Sequence, residues 1–198
     1  MPKRSRCCGT SVGVLLTNGN GDVLLIGRAW HPIGHAPVAG HVADEHASVA
    51  EAAVAEVREE VGLALTRMET AWTGHLPNLC SSPPARRPGH TWTLIRGTAV
   101  GTLRPAPGET VGAAWYTRRR VQVLAARTIA HAHSGQPAAD QPHDSLEAVW
   151  VEHLHRLGVL QVARRDLEAV RALYSTPPRS YWVGNREIPA DRLDTARF

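Results

Sequence analysis

Residues 48–62 constrain this chain more than any other stretch. Ser48 followed by Glu51 has the spacing of a capping box, and Gly62 supplies a helix stop. Between them Ala50, Ala53, Val54, Val57 and Val61 recur at helical spacing, which predicts an amphipathic helix burying that stripe. The same helix carries Glu56, Glu59 and Glu60 at i, i+3 and i+4, so their carboxylates fall within an arc of roughly 100° on one face. Like charges at that spacing cost a helix a few tenths of a kcal/mol per pair. A cation on the trio would remove that cost, and hard oxygen ligands suit Mg²⁺ or Mn²⁺, which bridge protein carboxylates to substrate phosphates. Taken alone, the trio is also compatible with a solvated acidic face.

Around this helix the chain reads as one α/β unit. Residues 1–10 read as disordered, and residues 11–16 and 23–26 as two apolar strands joined by the Asn18-Gly19-Asn20-Gly21 turn, a hairpin. Pro32, Gly34 and Pro37 mark a loop before the helix. Strands are expected at 65–73, 91–100 and 113–116, with the Pro/Ser/Arg-rich segment 80–89 as a substrate-side lid. A short helix near 121–126, a loop at 131–143, an amphipathic helix over 145–157 and a further helix at 164–174 follow. The segment beginning Thr176-Pro177-Pro178 reads as loosely ordered.

The 198 residues suffice for one core with an appendage, and no apolar run approaches the roughly 20 residues of a membrane span. The basic N-terminus is followed too soon by polar turn residues to read as a signal peptide, so a cytoplasmic protein is expected. The cysteines Cys7, Cys8 and Cys80 are odd in number and lack a Cys-x-x-Cys spacing, which indicates reduced thiols and neither a disulfide framework nor a zinc ribbon. His31 with His35, and His131 with His133, have conceivable zinc spacing but no partnering pattern. A net charge of +4 favours anionic partners, and a phosphate-bearing small molecule satisfies it as well as nucleic acid would.

The surroundings of the trio carry more. Gly40-His41-Val42 ahead of the helix and the run Glu56-Val57-Arg58-Glu59-Glu60-Val61-Gly62-Leu63 resemble the Nudix box, G-x5-E-x7-R-E-U-x-E-E-x-G-U with U aliphatic. Two apolar strands, Arg28 at the end of the second, and Trp115 before a short helix agree with that family. The resemblance spans about residues 11–126. It implies a Nudix-type α/β/α sandwich with a mixed β-sheet, to which residues 127–198 add a helical C-terminal extension packed on the domain, its tail partly flexible. The box is a variant one: Ala55 stands at the family's arginine, the stretch from Gly40 to Glu56 is one residue longer than the pattern, and Ala47 falls where the first glutamate belongs.

The resemblance implies a hydrolase that cleaves a phosphoanhydride in a nucleotide or a nucleoside-diphosphate-linked small molecule, with Mg²⁺ or Mn²⁺ as cofactor. Carried over by position, Glu56, Glu59 and Glu60 are metal ligands, with the carbonyl of Gly40 as another. Glu59, Glu60 and the loop residue Glu109 are candidates for the catalytic base. Arg28, Arg86 and Arg87 are candidate phosphate contacts, and Trp30 and Trp92 are candidates to stack on a base, whereas Trp115 and Trp150 are expected in the core. Trp150 leaves a homodimer contact open, since many relatives are dimers. Two other functions stay open: a non-catalytic nucleotide-binding sensor, for which Ala55 speaks, and an RNA-end pyrophosphohydrolase. No aromatic-basic RNA-binding motif supports the last.

Overall fold

A computed structural model describes residues 6–43, 46–84 and 87–193. In chain order its elements are β1 (Thr10–Leu16), β2 (Val23–Arg28), β3 (His35–Ala36), β4 (Val38–His41), α1 (Val49–Val61), β5 (Ala64–Leu76), β6 (His90–Val100) and β7 (Thr110–Tyr116). Then come α2 (Arg118–His133), α3 (Ala148–Arg156), α4 (Arg164–Ser175), β8 (Ser180–Val183) and β9 (Arg186–Pro189). β4, β1, β6 and β5 form one sheet in that order, and β1 and β6 run parallel while the other pairs are antiparallel. β3, β2 and β7 form a second, antiparallel sheet.

Strands β1 and β2 are apolar on both faces because each lies between two helical layers. Val12, Val14, Leu16, Leu24 and Ile26 pack with Ala52, Ala53, Val57 and Val61 of α1. Leu15, Val23 and Leu25 turn the other way, toward Val121 and Leu124 of α2, Trp150 and Leu154 of α3, and Val170 of α4. The result is the expected α/β/α sandwich with a mixed sheet. Gly13 lets the second layer close: a Cβ there would sit 2.5 Å from Cη2 of Trp150. Trp150 is fully buried, so the core claims it and no dimer contact does.

Helix α1 keeps its expected ends. The Ser48 hydroxyl accepts from the backbone N–H of Glu51 at 3.1 Å, and Gly62 ends the helix at φ 71°. Its buried face differs. Ala52, Ala53, Val57, Glu60 and Val61 point inward, while Ala50 and Val54 are exposed. The helix is thus rotated about its axis relative to the apolar stripe, and the rotation carries one of the three acids inside.

Other departures have plain causes. The turn at residues 18–22 does bring β1 and β2 together, through a hydrogen bond from Gly21 to Asn18 and a single bridge between Thr17 and Val23. The strands then part into different sheets, so there is no hairpin; each finds partners of higher sequence separation that bury both its faces. Residues 6–10, expected to be disordered, include the buried Cys7 and the first residue of β1. α2 runs to His133, so His131 and His133 lie in its last turn instead of a loop, where they meet Pro137 O and Asp166 Oδ1. Trp115 is partly exposed instead of buried in the core. Within the tail expected to be loosely ordered, β8 and β9 pair as a hairpin, and residues 194–198 lie outside the described residues.

The segment between β5 and β6 is held by α4, β8 and the residues ahead of β1. Leu79 N–H donates to Tyr174 O, Trp182 N–H to Ser81 O, and Cys7 N–H to Pro83 O. Tyr174 is itself held by Glu152, whose other oxygen takes hydrogen bonds from Arg156 and Arg171. Gly13→Ala is expected to destabilise the protein by about 1–3 kcal/mol, the range for overpacking a full core. Urea unfolding checks this, and Trp150→Phe introduced alongside should recover part of the loss.

Candidate active site

The rotation of α1 sets the site. Glu60 projects beneath β4 and its Oε2 accepts the backbone N–H of Ala39 at 3.2 Å. Burial pushes its carboxyl up to about 8; the Arg28 guanidinium opposes that, while Glu56 and Glu109 add to it. One turn earlier, Glu56 lies directly against Gly40: a Cβ at that position would come 1.6 Å from Oε1 of Glu56. Only glycine fits. His46 is also near, its Nε2 3.9 Å from Oε1 of Glu56.

Glu56 and Gly40 open into a cleft of about 350 Å³, within the range of small-ligand sites. Arg28 enters it from the end of β2, where the pairing with β7 shifts register. Its Nε lies 3.5 Å from Oε2 of the buried Glu147, and among the described residues neither atom has a hydrogen-bond partner. Burial raises the Glu147 carboxyl, with Arg28 and His90 opposing. Asn78, Ser81 and Ser82 from the segment after β5 make up part of another wall.

The remaining candidates are distributed unevenly. Glu59 is exposed on the outer side of α1, and Glu109 is exposed in the loop before β7 but close enough to act on Glu60. Trp30 is 63% exposed, its indole N–H donating to Gly108 O at 3.0 Å. Trp92 touches the cleft but is otherwise a core residue, packed on Trp150 and His153 and donating to Asn78 Oδ1 at 2.9 Å. It is therefore not presented as a free stacking face. Arg87 is exposed and outside the cleft lining, and Arg86 lies outside the described residues.

A family model, the NUDIX domain, matches residues 9–139. The chain belongs to the Nudix family. Among solved structures, the NUDIX domain of Shewanella oneidensis NrtR complexed with ADP ribose is similar at 12% identity and a TM-score of 0.51, covering 78% of this chain and 89% of that one. A Nudix-family hydrolase from Clostridium perfringens shares 17% identity, with 77% and 98% coverage and a TM-score of 0.49. The dihydroneopterin triphosphate pyrophosphohydrolase of E. coli shares 15%, with 86% and 98% coverage and a TM-score of 0.48. No curated protein matches the chain. At 12% identity the NrtR domain speaks for the Nudix fold alone, and the family match for a hydrolase of phosphorus-containing anhydrides.

The Nudix family generally uses divalent metal ions, and the residues present fit one. Gly40 leaves a cradle that brings backbone against the Glu56 carboxylate, and Glu60 is a buried acid whose acidic neighbours favour a positive charge nearby. Sequence reasoning misses Glu147, His31, His46 and Asn78 as cleft residues. Glu147 sits at the start of an apolar helix, where it reads as an ordinary helix-entry residue, and the other three lie in loops without a motif.

Two outcomes are expected. A carboxyl with a raised pKa favours the folded state while protonated, so Glu60 contributes its full stability below about pH 4.5 and loses it as pH rises through about 8. In chelator, Glu60→Gln should therefore melt higher than the parent near pH 8, with the difference vanishing near pH 4.5. Gly40→Ala should weaken Mn²⁺ binding in calorimetry by about 10–100-fold, by displacing Glu56.

Proposed function

We propose that the protein is a metal-dependent pyrophosphohydrolase that cleaves a phosphoanhydride in a nucleotide or a nucleoside-diphosphate-linked small molecule. The observation that carries this reading is the packing of Gly40 against Glu56 on the cleft wall, with Glu60 held one turn further along the same helix under Ala39 and the incompletely hydrogen-bonded Arg28 lining the same cleft. Gly40, Glu56 and Glu60 would hold Mg²⁺ or Mn²⁺, with Glu59 at the outer edge of the same helix. When bound, the ion would supply Lewis-acid polarisation of phosphate oxygens and a lowered pKa for a water.

The protein's own groups account for the remaining steps. Arg28 offers a guanidinium that can grip a phosphate oxygen, drawn partly away from Glu147 to do so. Burial keeps the Glu60 carboxyl well above the usual carboxylate range, and beside a bound cation it would lose its proton and become a carboxylate ligand. Glu109 and Glu59, both exposed, are alternative proton acceptors. Trp30, exposed, can cover a base.

A second reading, a nucleotide-binding module without turnover, is favoured by one observation: Ala55 replaces the arginine that pairs with the box glutamates. Arg28 partly answers it, since its guanidinium acts on Glu60 from β2. The ADP ribose held by the NrtR NUDIX domain makes that compound a sensible first probe for both readings.

The test is a panel of nucleoside di- and triphosphates, dinucleotides, nucleotide sugars and ADP ribose with Mg²⁺ or Mn²⁺, scoring release of phosphate and monophosphate. Glu59→Gln and Glu60→Gln are expected to lower turnover of the best substrate by about 10²–10⁴-fold, the range for a proton-handling carboxylate. Turnover unchanged in both variants would sink the assignment. Binding without hydrolysis under every metal would establish the second reading.

A further inference from the structure

A second cluster of ligand-type side chains lies on the wall of the same cleft. Cys7, His41, Cys80 and His90 each present one donor atom, and all four atoms fall within 4.8 Å of one another. Cys7 Sγ is 3.0 Å from His90 Nε2 and 3.3 Å from His41 Nε2, and the two Nε2 atoms are 3.3 Å apart. A tetrahedral zinc ion with Zn–S near 2.3 Å and Zn–N near 2.05 Å has donor–donor edges of about 3.3–3.8 Å. The His41–His90 edge of 3.3 Å matches the nitrogen–nitrogen value, and the two sulfur–nitrogen edges, 3.0 and 3.3 Å, are shorter than the ~3.5 Å that zinc would set, so the donors need only spread by a few tenths of an ångström around an ion.

Proton bookkeeping supports a cation at the centre. His90 Nδ1 lies 3.0 Å from the carbonyl oxygen of Asn78, which can only accept, so Nδ1 carries the proton and Nε2 turns a lone pair into the cluster. The Gly9 N–H donates to Cys7 Sγ at 3.3 Å, as backbone amides do to metal-bound thiolates. Cys7 and His90 are buried, and Cys80 and His41 are half-buried, so the group is largely sheltered from solvent. Cys8, next in the chain, places its Sγ 3.3 Å from Thr10 O and also meets the Cys7 thiol, but it is not among the four converging donors.

We propose that Cys7, His41, Cys80 and His90 form a closed, structural Cys₂His₂ zinc site. It joins four segments: the N-terminal residues before β1, the end of β4, the segment between β5 and β6, and the start of β6. His41, Cys80 and His90 also line the cleft, so the ion fixes one of its walls. Four protein ligands leave no open position, and the site therefore anchors instead of reacting. The inference is independent of what the cleft hydrolyses.

Protein purified without chelator or added metal is expected to carry one zinc per chain by elemental analysis. Cys7→Ser and Cys80→Ser should lose most of it, whereas Cys8→Ser and Glu60→Gln should keep it. Chelator-stripped parent protein given Co²⁺ should show the intense visible bands of tetrahedral cobalt with sulfur charge transfer, and zinc removal should lower the melting temperature. The cobalt spectrum decides the matter even where a cysteine variant fails to fold. The proposal is overturned by parent protein that retains no zinc and gives only the pale spectrum of octahedral cobalt. It is equally overturned by a Cys7–Cys80 disulfide in fresh protein, or by Cys8→Ser losing zinc as fully as Cys7→Ser.

Discussion

The carboxylate of Glu60 under β4 is the constraint to which the neighbouring structure is fitted. A buried acid is costly unless it is hydrogen-bonded, paired or neutralised. The Ala39 N–H supplies a hydrogen bond, the Arg28 guanidinium at the end of β2 acts on the carboxyl electrostatically, and burial pushes its pKa up to about 8. Turning Glu60 inward also turns Val54 outward and aligns Glu56 with Gly40. A helix rotated to bury only its apolar stripe would pack better and hold no such group. This is the usual sign of a position kept for chemistry at some cost in stability.

That conflict explains which parts of the structure are legible in the sequence. The ends of α1 follow from Ser48 and Gly62, and β5, β6 and β7 follow from runs of β-forming residues, because each depends on local chemistry. The buried face of α1 is not legible, because periodicity places acids in water, and Glu60 contradicts it for reasons that lie in β2 and β4. The expected hairpin is absent for a related cause. Its turn is real, but the continuous apolar runs on either side mark strands covered on both faces, and such strands pair within sheets of longer range.

The candidate site divides in the same way. Gly40, Glu56 and Glu60 are legible because they share a compact motif. Arg28 is legible as a strand-end cation, although not its contact with Glu147. The cysteine–histidine group is not, since His41 and His90 stand 34 and 83 residues from Cys7 and no local spacing links them. The sequence offers adjacent cysteines and short-spaced histidine pairs, and the structure assembles neither of those combinations. Trp92 looks available as a stacking platform while only its strand is recognised; α3, the helix that covers it, comes from the far side of the chain.

β4 is only four residues long, yet consecutive residues in it serve different neighbours. Gly40 lies against Glu56, and His41 reaches Cys7 and His90. The residue by which this chain exceeds the Nudix spacing falls after that strand and before the contact between Glu56 and Gly40 is closed by the helix. Insertions there leave both registers intact, because the strand is fixed by β1 and the helix by its own cap. The length of chain between Gly40 and Glu56 is thus not fixed by the contact between them. A single residue added within β4 itself would exchange the sides to which Gly40 and His41 point, and the contacts with Glu56 and with Cys7 and His90 would be lost together.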